Sequence, residues 1–199
     1  FRLIEPYELF GVLNKQKGKI IVTSGPTYEE IDDVKVVTNK SSGKQGKALA
    51  IELSARGYEI IYIHSASIDH IPGLDNVSFH SSNDLKNKIL ENINNIDAIF
   101  MTAAVSDFTV KKSTGKISRS NGNISLELIP NEDIIAAIKT SYPEIKCIAF
   151  SAQVDDELNF NKINTKNVDY LVINNILKNK FGSDTNKVSI IDQQHLILS

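Results

Sequence analysis

The sequence predicts an α/β fold, a mostly parallel β-sheet with helices packed on both faces. Two observations carry this reading. Short apolar, β-branched runs recur along the chain, and between them lie longer segments whose apolar residues fall at helical spacing. Strands are expected at residues 19–23, 59–64, 77–80, 98–102, 146–150 and 170–174, and helices at 46–56, 84–93, 132–140 and 157–166. The first strand contains Lys19-Ile20-Ile21-Val22, and the helix that follows ends at Gly57, a residue suited to a C-terminal cap. Asn83 and Asn131 suit the N-caps of the second and third helices, and Glu132-Asp133 put negative charge in a first turn. Residues 187–192 and 195–198, about Gln193-Gln194, read as a terminal hairpin.

One stretch breaks the alternation. Residues 108–129 are polar and basic, and Asn121-Gly122 between alternating segments signals a β-hairpin. Lying between a strand and a helix of the sheet, this hairpin must project from the body. It is either a solvated excursion or an arm that covers a site or reaches a second subunit.

Composition narrows the class. The 199 residues are enough for one well-buried domain, and the balance of 41% apolar to 23% charged is ordinary for a globular protein. With 22 basic and 24 acidic residues, there is no reason to expect a nucleic acid or an anionic membrane as partner. No apolar stretch is long enough to span a bilayer, and no signal peptide is visible. The single cysteine, Cys147, excludes an internal disulfide framework and a cysteine-based zinc site, and reads as core within an apolar strand. The four histidines have no metal-ligand spacing. A cytoplasmic location is expected. The chain starts at Phe1 rather than Met, so the natural N-terminus is expected upstream, with 1–18 as a linker-like segment before a domain at 19–199.

The segment after the first strand is the most informative. From Thr23 to Gly46 a long polar, glycine-punctuated loop opens onto a helix N-terminus, where an α/β protein presents bare backbone N–H groups to a phosphate. Loops of this length are usually functional. Within it, Asn39 is either a turn former or an amide able to hold a substrate carbonyl. Ser41, Ser42 and Gly43 can offer hydroxyl and backbone donors to a phosphate. Gly43 and Gly46 do not form a Walker loop, because no Ser or Thr follows Lys47. At the end of the fourth strand, Met101-Thr102-Ala103-Ala104 are small enough for a ligand to approach the backbone. Asp107 beyond them is either a loop acid or an acceptor for ribose hydroxyls. Lys162 and Lys166 share a helical face, where they solubilise the surface or converge on phosphates.

The order of residues in that loop resembles phosphopantothenoylcysteine synthetase, the ligase of coenzyme A biosynthesis often found as the C-terminal half of a bifunctional bacterial protein. The family reads S-G-G-T-x-E-x-I-D-x-V-R-x-I-x-N-x-S-S-G-x-M-G. This chain has Ser24-Gly25-Pro26-Thr27, Glu29, Ile31-Asp32, Val34-Lys35, Asn39, Ser41-Ser42-Gly43 and Gly46, with Lys35 for the usual Arg and Gln45 for the usual Met. Further echoes are Ala103-Ala104-Val105-Ser106-Asp107-Phe108 for A-A-V-A-D-[FY], and Lys116-Ile117-Ser118-Arg119 for K-I-K-K. Asn131-Glu132-Asp133-Ile134 stands for N-P-D-I, Phe150-Ser151-Ala152-Gln153 for F-A-A-E, and the segment from Lys162 through Lys166 to Asn174 for K-x-x-x-K…N. Phe181-Gly182 to Val188 echoes F-G-x-D-x-N-x-V, and Arg2 to Leu9 is similar to the segment joining the two halves of bifunctional members.

The resemblance implies a Rossmann-like three-layer sandwich with a projecting arm at about 108–129, which helps form a homodimer and encloses the active site. It implies that CTP with Mg²⁺ converts the carboxyl of 4′-phosphopantothenate to an acyl-cytidylate, which cysteine nitrogen then attacks, and that CMP leaves. Catalytic roles carry over onto Asn39 and Lys116. Nucleotide contacts carry over onto Met101, Thr102, Ala103, Asp107, Lys116, Glu132, Asp133, Ile134, Ile135, Phe150, Lys162 and Lys166. Substrate contacts carry over onto Gly25, Asn39, Ser41, Ser42, Gly43, Ala104 and Asn174. Metal ligands are not assigned, and an upstream decarboxylase half would carry FMN. Two rivals remain at this stage. A Rossmann-type oxidoreductase needs a G-x-G-x-x-G fingerprint and an acid after the second strand, and neither is present. A non-catalytic nucleotide-binding module would have lost Asn39 or Lys116, and both are present.

Overall fold

The computed structural model describes residues 17–153, 161–175, 188–194 and 197–198. In chain order its strands are β1 (Lys19–Ser24), β2 (Tyr28–Glu30), β3 (Val36–Thr38), β4 (Glu59–Ser65), β5 (Asp75–Phe79), β6 (Ala98–Met101), β7 (Phe108–Val110), β8 (Leu128–Pro130), β9 (Lys146–Gln153), β10 (Tyr170–Asn175), β11 (Val188–Asp192) and β12 (Ile197–Leu198). The helices are α1 (Lys44–Ala55), α2 (Ser82–Glu91), α3 (Ile134–Ser141) and α4 (Asn161–Lys166). The main sheet runs β12-β11-β10-β9-β6-β1-β4-β5. From β5 to β10 every neighbouring pair is parallel, and β11 and β12 close that edge antiparallel, as the expected terminal hairpin.

The pleat of β1 explains the layers. Ile20 and Val22 join Tyr62, Ile60 and Ala50 of α1 in one apolar cluster. Ile21, between them, faces the larger cluster containing Leu85 and Ile89 of α2, Ile134 and Ile138 of α3, and Ile163 of α4. A sheet buried on both faces between one helix and three is the three-layer sandwich expected. Gly57 ends α1 as anticipated. At φ +92° its N–H donates to Ser54 O (2.9 Å) and that of Tyr58 to Leu53 O (3.2 Å), the paired closure of a Schellman motif.

Two caps differ from expectation. The α2 cap is Ser81, whose Oγ accepts from Asp84 N at 3.2 Å, because the helix starts earlier than Asn83. The α3 cap is Asp133, accepting from Ala136 N at 3.3 Å. Asn131 instead donates its side-chain amide to Ser106 O at 2.9 Å, tying the helix entry to the end of another strand. The start expected for α4 at residue 157, the segment 1–16 and most of 181–188 lie outside the described residues.

The 108–129 excursion is closed at its base by β7 pairing antiparallel with β8, but it is not a hairpin turning on Asn121-Gly122. A short 3₁₀ turn occupies Arg119–Asn121. The first limb makes its backbone bonds elsewhere: Ser113 N donates to Ile31 O (2.8 Å), Gly115 N to Asp33 Oδ2 (3.0 Å) and Ile117 N to Asp32 Oδ2 (2.9 Å). Those acceptors lie between β2 and β3, an antiparallel pair formed inside the long loop after β1.

At the opposite end of the sheet a buried ion pair fastens α3 to the strands. Lys139 Nζ donates to Asp169 Oδ2 (2.8 Å), Pro143 O (2.8 Å) and Ile145 O (2.9 Å). Burial would raise the Asp169 carboxyl, but bonds from Lys139, from the Cys147 N–H (2.8 Å) and from Lys146 hold it below its ordinary value. Burial pushes the adjacent Cys147 thiol up to about 11. A carboxylate held low stabilises the fold above its unfolded value and loses that contribution as acid is added through it. Asp169→Ala should therefore cost about 3–5 kcal/mol near neutral pH, by leaving the Lys139 ammonium without its counter-charge. The gap to the parent should narrow below about pH 4, as read from urea unfolding at several pH values.

Candidate functional site

After β1 the chain crosses to β4, and after β6 it crosses to β9, on the other side. Adjacent strands that feed loops in opposite directions leave a crevice beyond their C-terminal ends, the usual ligand position in an open α/β sheet. Here the two loops do not separate at once. Ala104 N donates to Gly25 O (2.9 Å) and Thr27 N to Ala104 O (3.3 Å), extending the parallel pairing past the sheet. Threonine hydroxyls satisfy the next backbone groups: Thr23 Oγ1 accepts from Ala103 N (3.0 Å), Thr27 Oγ1 accepts from Ser106 N (3.0 Å), and Thr102 Oγ1 donates to Thr23 O.

The N-terminus of α1 sits beside this junction. Gly43 caps it at φ +68°, with no side-chain capping bond, and Ser24 Oγ donates to Gly43 O at 2.9 Å. No acid lies in the first turn, which carries Lys44 and Lys47. The positive end of the helix therefore faces no side-chain acid of its own that would oppose an anion. Gly46 is required by proximity, since a Cβ there would lie 2.4 Å from Thr102 Oγ1 and 2.8 Å from Ser24 Cβ.

Together these segments wall a cleft of about 1340 Å³. Asn39, Ser41, Ser42, Gly43, Met101, Thr102, Ala103, Ala104, Asp107, Glu132, Asp133, Ile134, Ile135, Phe150, Lys166 and Asn174 all line it. Gly25 lies beneath, in the strand extension. Lys116 is exposed on the arm and outside the lining. Lys162 belongs to α4, and its side chain is outside the described residues. The cleft also includes Lys40, Ser106 and Asn131, which sequence reasoning did not single out as ligand-facing.

Asn39 is held tightly. Its Nδ2 donates to Val105 O (2.9 Å) and Ala104 O (3.3 Å), so Oδ1 is the part of the amide left for a ligand. Across the cleft, Asp133 both caps α3 and accepts from Lys166 Nζ at 2.7 Å. Glu132 pairs with Lys86 of α2, so the residue in the family's proline position ties the turn to that helix. Outside the cleft lining, Asp32 is buried. Lys35 lies 2.7 Å from its carboxylate and, with the N–H groups of Ile117, Val34 and Lys35, overcomes burial and holds it well below the usual range. Among the described residues no three His, Cys, Asp or Glu side chains gather as a ready metal site, and no helix is long and apolar enough to cross a membrane.

Residues 15–198 match the family described as DNA/pantothenate metabolism flavoprotein C-terminal domain. The chain belongs to that family. Among its relatives, the Coenzyme A biosynthesis bifunctional protein CoaBC of Bacillus subtilis is 35% identical over 178 residues, covering 86% of this chain and 44% of that protein. The chain thus spans less than half the length of that relative. The crystal structure of the C-terminal domain of a CoaBC protein superposes with a TM-score of 0.74 at 27% identity, covering 92% of this chain and 85% of the other. A Cab2 mutant in complex with phosphopantothenate-cysteine has a TM-score of 0.76 over 97% of this chain and 85% of its own, and at 16% identity it speaks for the fold alone. The CoaBC C-terminal domain and this chain thus share the α/β fold.

Gly46→Ala tests the tight junction on which the cleft depends. Alanine improves helix propensity by up to about 1 kcal/mol, whereas overpacking against Thr102 and Ser24 costs about 1–3 kcal/mol. Overpacking should win, giving a net loss of stability in thermal unfolding. A variant as stable as its parent would contradict the geometry.

Proposed function

We propose that this domain is a ligase that joins cysteine to 4′-phosphopantothenate, using CTP and releasing pyrophosphate and then CMP. The observation that carries the reading is convergence. The Asn39 loop, the end of β6, the 131–135 turn and Lys166 meet in one cleft at an α1 N-terminus free of acids. Membership of the family and likeness to a CoaBC C-terminal domain support it. In a longer protein an upstream half would act as a flavin-dependent decarboxylase on the ligase product.

In this reading the phosphate of phosphopantothenate sits on the α1 N-terminus, with Ser41, Ser42 and the Gly43 backbone as donors. The nucleotide lies along 101–103, with Asp107 accepting from ribose and the 132–135 turn and Phe150 beside the base. Lys166 and Lys162 meet the triphosphate, and Lys116, outside the cleft lining of its own subunit, is brought to it by the arm. The pantothenate carboxylate attacks the α-phosphorus and the bond to pyrophosphate breaks. The cysteine amine then attacks the acyl carbon, loses a proton, and the carbon–oxygen bond to CMP breaks. Mg²⁺, when bound, offsets triphosphate charge. Asn39 Oδ1 accepts from the incoming amine, while Ala104 and Val105 fix its orientation.

Asn39→Asp would set a carboxylate oxygen against those two carbonyls and turn the group away from the amine. We expect activation to proceed and transfer to fail, so that an acyl-nucleotide accumulates, seen by mass analysis of the bound species. Normal product formation would remove Asn39 from this role.

The arm carries the assembly part of the proposal. Ile124, Leu126, Leu128, Ile129 and Phe108 are exposed, as are Val34 and Val36 beside the loop that holds the first limb. An apolar surface of this kind suits a second copy of the chain. Replacing residues 113–128 by a short Gly/Ser linker should yield monomers of low turnover, read by solution mass and activity. A variant that remained dimeric and fully active would refute the arm's role and leave the ligase assignment standing.

A further inference from the structure

Asp32 is buried, densely bonded and unused by the reaction outlined above. Its Oδ1 accepts from the N–H groups of Val34 and Lys35, each at 2.7 Å, which closes the turn between β2 and β3. Its Oδ2 accepts from Lys35 Nζ (2.7 Å) and from the N–H of Ile117 (2.9 Å), 85 positions along the chain. Lys35 Nζ reaches on to Ile117 O at 3.1 Å. Both polar backbone groups of one arm residue are thus held by one side-chain pair. Ile117 directly follows Lys116. On the other side, β3 begins immediately after Lys35, and Asn39 follows that strand, with Thr38 Oγ1 bonded to Thr27 O at 2.8 Å.

The turn alone does not account for this arrangement. Oδ1 suffices for it, and an arm largely open to solvent could leave its N–H groups to water. A carboxylate with its side chain wholly out of water is tolerated only where its acceptor capacity is met. Here one of its four bonds comes from the arm itself, and another from the Lys35 ammonium that reaches on to the arm.

We propose that Asp32 is a positioning residue that, through the peptide of Ile117, sets Lys116 in register with Asn39. The proposal rests on the roles given above to those two residues. It makes the substrate loop of the same subunit, in addition to any partner copy, the part that aims the arm.

Asp32→Asn separates the two jobs. Its Oδ1 can still close the turn, while its Nδ2 presents hydrogens to the Ile117 N–H and the Lys35 ammonium, opening the clasp. Pyrophosphate release from CTP with 4′-phosphopantothenate would be measured for D32N, K116Q and the double variant, with thermal unfolding of each. We expect D32N to lower kcat by about tenfold or more with the KM for CTP changed less than about threefold, and the double variant to lie within about threefold of K116Q alone. Losses that multiply, or a D32N enzyme of normal turnover beside an impaired K116Q, would overturn the proposal. Full activity in K116Q would overturn it through the Lys116 assignment, a result distinguishable because the clasp is then intact. Should D32N fail to fold, Lys35→Met takes its place in the same cycle, with Lys35→Arg expected to restore turnover. A K35M enzyme of normal turnover, losses that multiply with K116Q, or no recovery in K35R would equally overturn it.

Discussion

The site hangs on the few hydrogen bonds that keep the chain beyond β1 paired with the chain beyond β6. Two loops bound for opposite sides of a sheet would ordinarily part at its edge and leave backbone groups to water or to other partners. Here Gly25, Thr27 and Ala104 prolong the pairing, and the hydroxyls of Thr23, Thr27 and Thr102 complete it. The result is a firm lip on which Asn39 can rest two bonds, and against which α1 can approach closely enough to exclude even one methyl at Gly46. A looser junction would leave the cleft walls independent of one another.

Charge is arranged around that lip with similar economy. The α1 terminus keeps its positive end clear of acids, whereas α3 carries an acidic cap, Asp133, that is already matched by Lys166. The two helix ends facing the cleft therefore differ in what they can accept. One carries no acid to oppose a small anion, and the other offers a lysine already paired with its acidic cap. Glu132, which also lines the cleft, is already paired with Lys86 of α2.

Much of this architecture was legible in the periodicity of the chain. Every expected strand of the main sheet is present, and Gly57 closes its helix in the way its backbone freedom suggests. The loop after β1 and the small residues after β6 read as ligand-facing from position alone, and residues 38–46 of that loop share one cleft with residues 101–104. What escaped notice depends on distant partners. Asn131 has the chemistry of a cap, but its amide is taken by Ser106, so Asp133 caps instead. Asn121-Gly122 has the local preference for a tight hairpin, yet the preceding limb bonds to residues 31–33, more than eighty positions away. The threonine hydroxyls at the strand ends looked like ordinary polar punctuation. Only the register of β1 against β6 shows that they complete a backbone.

Cys147 has a consequence for the company this protein keeps. Its sulfur lies fully buried beneath the Lys139–Asp169 pair, with its acidity suppressed by burial. Disulfide exchange proceeds through an accessible thiolate, and this residue offers neither access nor charge. On the function proposed above, the substrate is a thiol amino acid that itself takes part in such exchange. The domain's single sulfhydryl stays outside that equilibrium while the fold is intact.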